Sequence, residues 1–564
     1  MGHADGATAE EELQRQRSIE QAIAEGHDAD IPSSIGYVVN ENVNQSRRQS
    51  LASHYNHSPA KSTLDSLHHK PEVDLERAVD ATATESDGEN AHVPTSSEDD
   101  DPNVVWWEGD DDPENPYNWP EWRKWLNCTF VSVLTFLTPL ASSIFAPGVP
   151  QLSQEFNVTN GELQTLVVSI YVLGYAFGPL LIAPLSEIYG RNIVYHICNL
   201  GFIAFMVACA MAPSMDSLIG FRFMSGFFGS CPVTNGGGSI ADMIVPQKRG
   251  VAMSLYTLGP IFGPVVGPVA GGFLADAKGW RWCFWIVVIV AGFMSIAMML
   301  FMKETYAPVI LERKAAKLRK ERGNELLRSK LDAGMSAKDY FTRSIVRPLK
   351  LIALSPITQI FAIYLGIVYG YLYLLFTTIT TVFTDSYNFT SSTAGLAYLG
   401  LGVGSVIGQV LFSWTSDSYS QRRAEREGNG MKPEYRLFWL PFAAIILPVG
   451  FFIYGWTTEY KIHWIVPIIA MGIVGVANIL FFMCVTMYLI DSFQMYAASA
   501  MAANVVVRSV AGAVLPLAAP KMYDALGLGW GNSLLAFIAV AMLPIPFIIS
   551  RYGEYLRTRF KVKM

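Results

Sequence analysis

Twelve apolar stretches constrain this chain more than any other feature. They lie at about residues 125–147, 162–184, 192–212, 216–240, 250–275, 281–302, 354–383, 393–415, 436–457, 463–490, 496–519 and 530–551. A helix of about 20 residues, rising about 1.5 Å per residue, crosses a hydrocarbon core about 30 Å thick. One or two such runs could anchor a soluble domain. Twelve must satisfy their backbone groups within helices and bury their faces against one another and lipid. The expected fold is an all-α membrane bundle. Charge agrees: only 16% of the 564 residues are Asp, Glu, Lys or Arg, against about a quarter in soluble domains. Most of them fall in residues 1–120 and about 303–350.

This clustering divides the chain. Residues 1–103 are polar and acidic with few large apolar side chains, so a disordered tail is expected there. Residues 104–302 hold an irregular Trp- and Pro-rich lead-in, expected to dock beside the first span, and six spans. Residues 303–350 form a charged linker in which 312–320 read as a short basic amphipathic helix. Residues 351–552 hold six more spans, and 553–564 a basic tail. No apolar leader stands near Met1, so the span near Trp125 is expected to direct insertion.

Lys and Arg fix an orientation. With both termini cytoplasmic, the inside connections hold Arg191, Lys248, Arg249, the whole linker, Arg422, Arg423, Arg426, Lys432 and the C-terminal tail. The outside connections hold Lys278, Lys461 and Lys521, with Arg281 at a span boundary. That is the asymmetry expected of a multi-pass protein with cytoplasmic ends. The sequons at Asn157 and Asn388 then fall outside, where glycosylation is possible. The net charge of −7 comes largely from the acidic tail, and no basic nucleic-acid footprint exists. The six cysteines fall inside spans without metal-ligand spacing and read as small apolar residues. No metal or cofactor is expected.

The fifth span carries the most specific pattern. Gly259, Gly263, Gly267 and Gly271 recur every four residues and form one smooth face for close backbone approach. Pro260, Pro264 and Pro268 in the same helix remove backbone donors. The run Gly259-Pro260-Ile261-Phe262-Gly263-Pro264-Val265-Val266-Gly267-Pro268-Val269-Ala270-Gly271-Gly272 resembles the antiporter signature of the major facilitator superfamily. Ala183-Pro184-Leu185-Ser186-Glu187-Ile188-Tyr189-Gly190-Arg191 resembles its loop motif, with Ala183 for the leading Gly and Glu187 for Asp. Leu218 and Arg222-Phe223-Met224-Ser225-Gly226 resemble its fourth-span motif, with Ser225 for Gln. The resemblance spans about 104–560 and is strongest to the fungal twelve-span drug:proton antiporters.

What the resemblance implies is a major facilitator fold in two six-helix halves that alternately expose a central site. It implies export of drugs, toxins or secondary metabolites across the plasma membrane, driven by the proton gradient, by a monomer. In such a protein Glu187, Gly190 and Arg191 would form a cytoplasmic latch. Arg191 would pair with Asp242, and Glu187 would face the N-terminal end of a helix in the other half, with span 11 as the candidate.

Buried charge is the other guide to function. Arg222 in the fourth span and Arg508 near the middle of the eleventh are the two charges well inside their spans. Arginine stays protonated, so neither is a proton carrier, though either could tune an acid or bind an anion. The acids of the membrane part lie near span ends, so proton coupling rests on the resemblance. The expected substrate path lies between the halves, lined by Tyr364, Tyr369 and Tyr373 of the aromatic seventh span with Asn235, Gln359, Asn478 and Asn504. Such a path suits amphipathic neutral or anionic compounds. A polyamine exporter is the alternative within transport, and a multispan receptor or enzyme the alternative outside it. No metal cluster, nucleophile pair or phosphate loop favours an enzyme.

Overall fold

The computed structural model describes residues 103–560 except 110, 246–247, 333, 335, 429–430 and 494–495; the tail expected at 1–103 lies almost wholly outside them. The first half comprises α1 (Glu121–Ser143), a short α2 (Val149–Glu155), α3 (Gly161–Tyr189), α4 (Arg191–Ala210), α5 (Met215–Gly229), α6 (Cys231–Met243), α7 (Arg249–Lys278) and α8 (Arg281–Phe301). The linker contributes α9 (Ala307–Arg322) and α10 (Ala337–Leu354). The second half comprises α11 (Pro356–Tyr387), α12 (Ser391–Glu427), α13 (Leu440–Glu459), α14 (Ile465–Phe493), α15 (Ala497–Val514), α16 (Ala519–Ala541) and α17 (Pro544–Arg559). Each half has its own apolar core. Residues between Trp119 and Met302 form one, and those between Ile357 and Ile549, joined by Val172, form the other.

Ten continuous helical stretches among the described residues are long and apolar enough to cross a bilayer, where the sequence predicts twelve spans. Both differences have a local cause. Pro232, lacking an N–H, divides the fourth span into α5 and α6, each too short to qualify alone. The last two spans run together from Ala497 to Arg559. A single helix of that length would extend far beyond a membrane, and the chain instead doubles back at Gly527, whose φ of 73° suits glycine.

Four of the expected spans start on a local capping signal. Asn160, Ser214, Ser355 and Thr390 each accept a hydrogen bond from the first turn of the helix they precede, and Pro356 follows Ser355 at the first position of α11.

The linker is more ordered than a charged connection requires. Its expected basic helix is present and longer, as α9, and α10 was not anticipated. The lead-in joins the linker as well as the first half: Val104–Val105 (β1) pairs in parallel with Arg328–Ser329 (β2), over a small core of Val105, Ala315 and Leu327. Asp112, almost wholly buried, accepts hydrogen bonds from the backbone of Glu108 and Glu114 at 2.8 Å each and pairs with Lys314 at 3.3 Å. Burial pushes its pKa up, but these donors outweigh burial and hold it below the ordinary carboxylate value. Trp119 inserts into the core of the first half, and the Tyr117 hydroxyl donates to the Ala241 carbonyl at 3.2 Å.

Candidate functional site

Helix α7 lies against α1 on one side and α12, from the other half, on the other. A methyl group at Gly259 would sit 2.8 Å from the Phe136 nitrogen, and one at Gly263 2.7 Å from the Phe136 oxygen. One at Gly267 would sit 2.6 Å from Ser143 Oγ, and one at Gly271 would overlap the Ile144 carbonyl. The four glycines therefore set α7 directly on the backbone of α1. Ser143 Oγ adds a hydrogen bond to the Pro264 carbonyl at 3.1 Å. Gly272 stands on the other side, where its methyl would come within 2.6 Å of the Ser391 carbonyl. A methyl at Gly395 would come as close to the Pro268 carbonyl, and Gly402 packs on Val265.

These contacts close the halves on the side opposite the linker. There Asp276 accepts from the Ser392 N–H at 2.8 Å, Ser169 Oγ donates to the Ala513 carbonyl at 3.0 Å, and Lys521 pairs with Glu162. Nearer the middle, Ser142 Oγ and the Tyr373 hydroxyl lie 3.3 Å apart across the halves. Towards the linker the same face of α7 changes character. Val265, Pro268 and Gly272 are buried, whereas Ser254 and Thr257, on that face two to three turns earlier, are exposed. On α12, Ser413 continues the face of Gly395 and Gly402 and is exposed too. A cleft between the halves thus opens on the linker side.

At the linker-side mouth of the cleft, the α3–α4 turn carries Glu187, Gly190 and Arg191. Gly190 has φ 101°, and a methyl there would strike the Glu304 carboxylate. Arg191 Nε lies 3.2 Å from Asp242 Oδ2, its Nη1 donates to Ser186 Oγ at 2.8 Å, and its guanidinium covers the Tyr306 ring at 4.8 Å. Glu187 accepts a hydrogen bond from Tyr340 of the linker helix α10, a partner the sequence does not suggest. Helix α10 packs against both α3 and α15, which also touch each other directly.

Glu304 was missed as a functional residue. Nine-tenths buried, it accepts from the Arg191 N–H at 2.9 Å and the Asn192 N–H at 3.2 Å, and from the N–H groups of Thr305 and Tyr306 ahead of α9. The signal was present in the chain: α4 begins on a glycine, which has no side chain to cap its unpaired N–H groups.

Arg222 is wholly buried. It donates to the carbonyls of Ala141 and Ser142 at 2.7 Å each and to those of Val167 and Val168 at 3.3 and 3.4 Å. The rings of Tyr171 and Phe145 flank it at 4.6 and 4.7 Å. It ties α5 to α1 and α3, while Gly226 lets α5 press on the Tyr171 backbone. With every accepting group already protein carbonyl, this arginine holds the first half together.

Arg508 is the opposite case. It is partly buried near the middle of α15, with Tyr369 and Phe482 under its guanidinium at 4.6 and 5.0 Å. It makes no hydrogen bond or ion pair to any described residue, and its Nε is buried without a partner. Asn504, one turn earlier on the same face, is 1% exposed, and neither atom of its amide has a partner. The Tyr369 and Tyr373 rings lie 5.0 Å apart, tilted to one another, so one aromatic row runs from the cross-half contact at Ser142 to Arg508. Phe482 was not anticipated, although it lies one turn beyond Asn478 on α14.

Three residues expected on the path lie elsewhere. Tyr364 packs edge-on against Phe481 at 5.0 Å, within the apolar core of the second half. Gln359 donates to the Ala353 carbonyl at 2.9 Å, at the linker-side end of α11. Asn235 accepts from Ser186 Oγ at 3.1 Å and so extends the Arg191 network into the first half. Asn478 is held between, its amide donating to the Val368 carbonyl at 3.3 Å. Asn157 and Asn388 are exposed in turns on the side opposite the linker, both with left-handed backbone.

Comparison with known proteins agrees with this architecture. The Major Facilitator Superfamily profile matches residues 131–516. An MFS-type transporter of Penicillium rubens, penM, is 55% identical over 82% of this chain and 91% of its own length. The efflux pump radE of Floropilus chiversii is 48% identical over 88% and 94%. Among solved structures, a bacterial homologue of the human lysosomal transporter Spinster superimposes with TM-score 0.59 at 14% identity, over 79% of this chain and all of that one. The E. coli xylose transporter XylE superimposes with TM-score 0.57 at 17% identity, over 77% and 98%. The chain belongs to the major facilitator superfamily, among its fungal transporters and efflux pumps, and is a multi-pass membrane transporter rather than an enzyme.

Proposed function

We propose that this protein exports small organic compounds, of the drug, toxin or secondary-metabolite kind, across the plasma membrane in exchange for protons. The linker side is cytoplasmic, as the Lys and Arg distribution predicts, so the cleft opens inward and loads from the cytoplasm. The observation that carries the reading is the seat of α7 between α1 and α12. Its glycine face makes the first half rigid, and its Val265–Gly272 face forms a seam with the other half that can part. Two rigid halves rocking about a central site give alternating access. A relative named as an efflux pump, nearly half identical along most of its length, supports the outward direction.

The protein works as a monomer with no cofactor, the proton gradient being its energy source. Arg508 makes the cleft unsuited to a polycation, so amphipathic neutral or anionic cargo is favoured over polyamines. The test is uptake into proteoliposomes under an imposed pH gradient, with wild type and Gly263→Trp compared. Gradient-driven movement by wild type and none by the variant is expected. Movement that ignores the gradient would refute antiport, and equal movement by both would refute the role given to α7.

A further inference from the structure

Resting on the export reading above, we infer that Arg508 and Asn504 form an anion site for cargo carrying a single carboxylate on an aromatic or apolar body. Three observations converge on it. The first is a cation without a counter-charge. A partly desolvated guanidinium is costly unless something neutralises it, and no described carboxylate does so. The second is Asn504, whose buried amide has neither its donor nor its acceptor used. A side chain that is 1% exposed with both polar atoms orphaned is unusual in a folded protein. The two stand one turn apart on one face of α15.

The third observation is the aromatic surround. Tyr369 and Phe482 hold the guanidinium plane from α11 and α14, and Tyr373 continues the aromatic surface to the seam. A planar carboxylate takes two parallel hydrogen bonds from a guanidinium, and the Asn504 NH2 group offers a third donor nearby. The ring system of the cargo would lie along Tyr369 and Tyr373. Charge number narrows the class further. One unpaired cation matches one negative charge, whereas a phosphate ester or dicarboxylate would bring a second charge with nothing to meet it. Arg222 is not available for that second role, since its donors are already spent on carbonyls.

The test uses the full chain in nanodiscs and three probes of one shape: 2-naphthoate, 2-naphthamide and 2-naphthylmethylammonium. Equilibrium dialysis of wild type should show naphthoate bound about thirty-fold more tightly than naphthamide, and the cation not retained. Arg508→Gln should bring naphthoate down close to the level of naphthamide, so that the preference is lost even if naphthamide itself weakens by a few-fold. Arg508→Lys should keep a preference reduced by several-fold, because the charge survives and the fork does not. Asn504→Leu should weaken naphthoate more than naphthamide. Melting curves confirm that each variant is folded.

If Arg508→Gln fails to fold, the wild-type probe series and Arg508→Lys still decide. No naphthoate binding up to millimolar concentration, or equal binding of naphthoate and naphthamide by wild type, overturns the site. So does an unchanged preference in folded Arg508→Gln. Proteoliposomes separate this from the export reading. Naphthoate that binds through Arg508 but does not move under a pH gradient would sink export and leave the site. Gradient-driven movement of naphthamide and naphthoate alike, insensitive to Arg508→Gln, would do the reverse.

Discussion

Gly272 and Gly395 meet across the seam between the halves, so a methyl group at either perturbs only the state in which that seam is closed. At Gly395 the added carbon would lie 2.6 Å from the Pro268 carbonyl oxygen, whereas ordinary contact begins near 3.4 Å. The helices must separate by roughly 0.8 Å or slide, and such overpacking costs about 1–3 kcal/mol. Alanine also has a better helix propensity than glycine by about 1 kcal/mol, but that gain applies in both states and does not move the balance. The closed-seam population should therefore fall by about 5- to 150-fold relative to the open-seam state. Spin labels at Lys278→Cys and Asp385→Cys, exposed on the side opposite the linker, report the seam as a distance distribution. Gly395→Ala should deplete its short-distance component. Gly263→Ala should instead lower the melting temperature without changing the distribution, since its clash is with α1 of the same half. Gly292→Ala, which meets nothing within 4 Å, should change neither adversely. An unchanged distribution in Gly395→Ala would refute the assignment of this seam as the moving one.

Further perturbations test the linker and the inner loop. Glu304→Ala leaves the first turn of α4 and the lead-in to α9 without their acceptor and should cost about 1.5–3 kcal/mol, read as a lower melting temperature that Glu304→Gln partly restores. Tyr340→Phe removes the hydroxyl that holds Glu187 and should alter the transport rate with little change in melting temperature; an unaltered rate would reduce the contact to packing. Arg222→Lys loses most of four carbonyl contacts and should destabilise the first half even though its charge is kept, measured by thermal unfolding in detergent. Asp112→Asn should increase proteolysis between the lead-in and the linker at neutral pH. Because the folded pKa of Asp112 is lowered, the wild-type contact is present above the ordinary carboxylate pKa and is lost only as pH falls through the folded value. Equal protease sensitivity of wild type at pH 7 and pH 5 is therefore expected, and loosening already at pH 5 would contradict it.

The legible parts of this protein are those set by nearest neighbours along the chain. Span number follows from apolar length and the α7 glycine face from a repeat of four; the fourth span reads as continuous, although the proline that divides it has no N–H to give. Part of the site was also within reach. At 100° per residue, Tyr364 and Tyr371 of α11 share one face and Tyr369 and Tyr373 another. The first pair packs on Phe481 and Phe451 inside the second half, and the second pair faces the seam and Arg508. Treating the tyrosines as one set placed Tyr364 on the path, an error that helical periodicity alone could have prevented. Glu304 is different in kind. Its partners in α4 lie more than a hundred residues away, at a helix start whose need for an acceptor is local but whose supplier is not. Arg508 and Arg222 show the same limit more sharply. Both are arginines within apolar helices, alike by every local measure, yet one is saturated by carbonyls and the other has none. Only the fold decides which arginine is structure and which is left for a ligand. That decision turns on four backbone oxygens that α1 and α3 bring to α5 and that no helix among the described residues brings to α15.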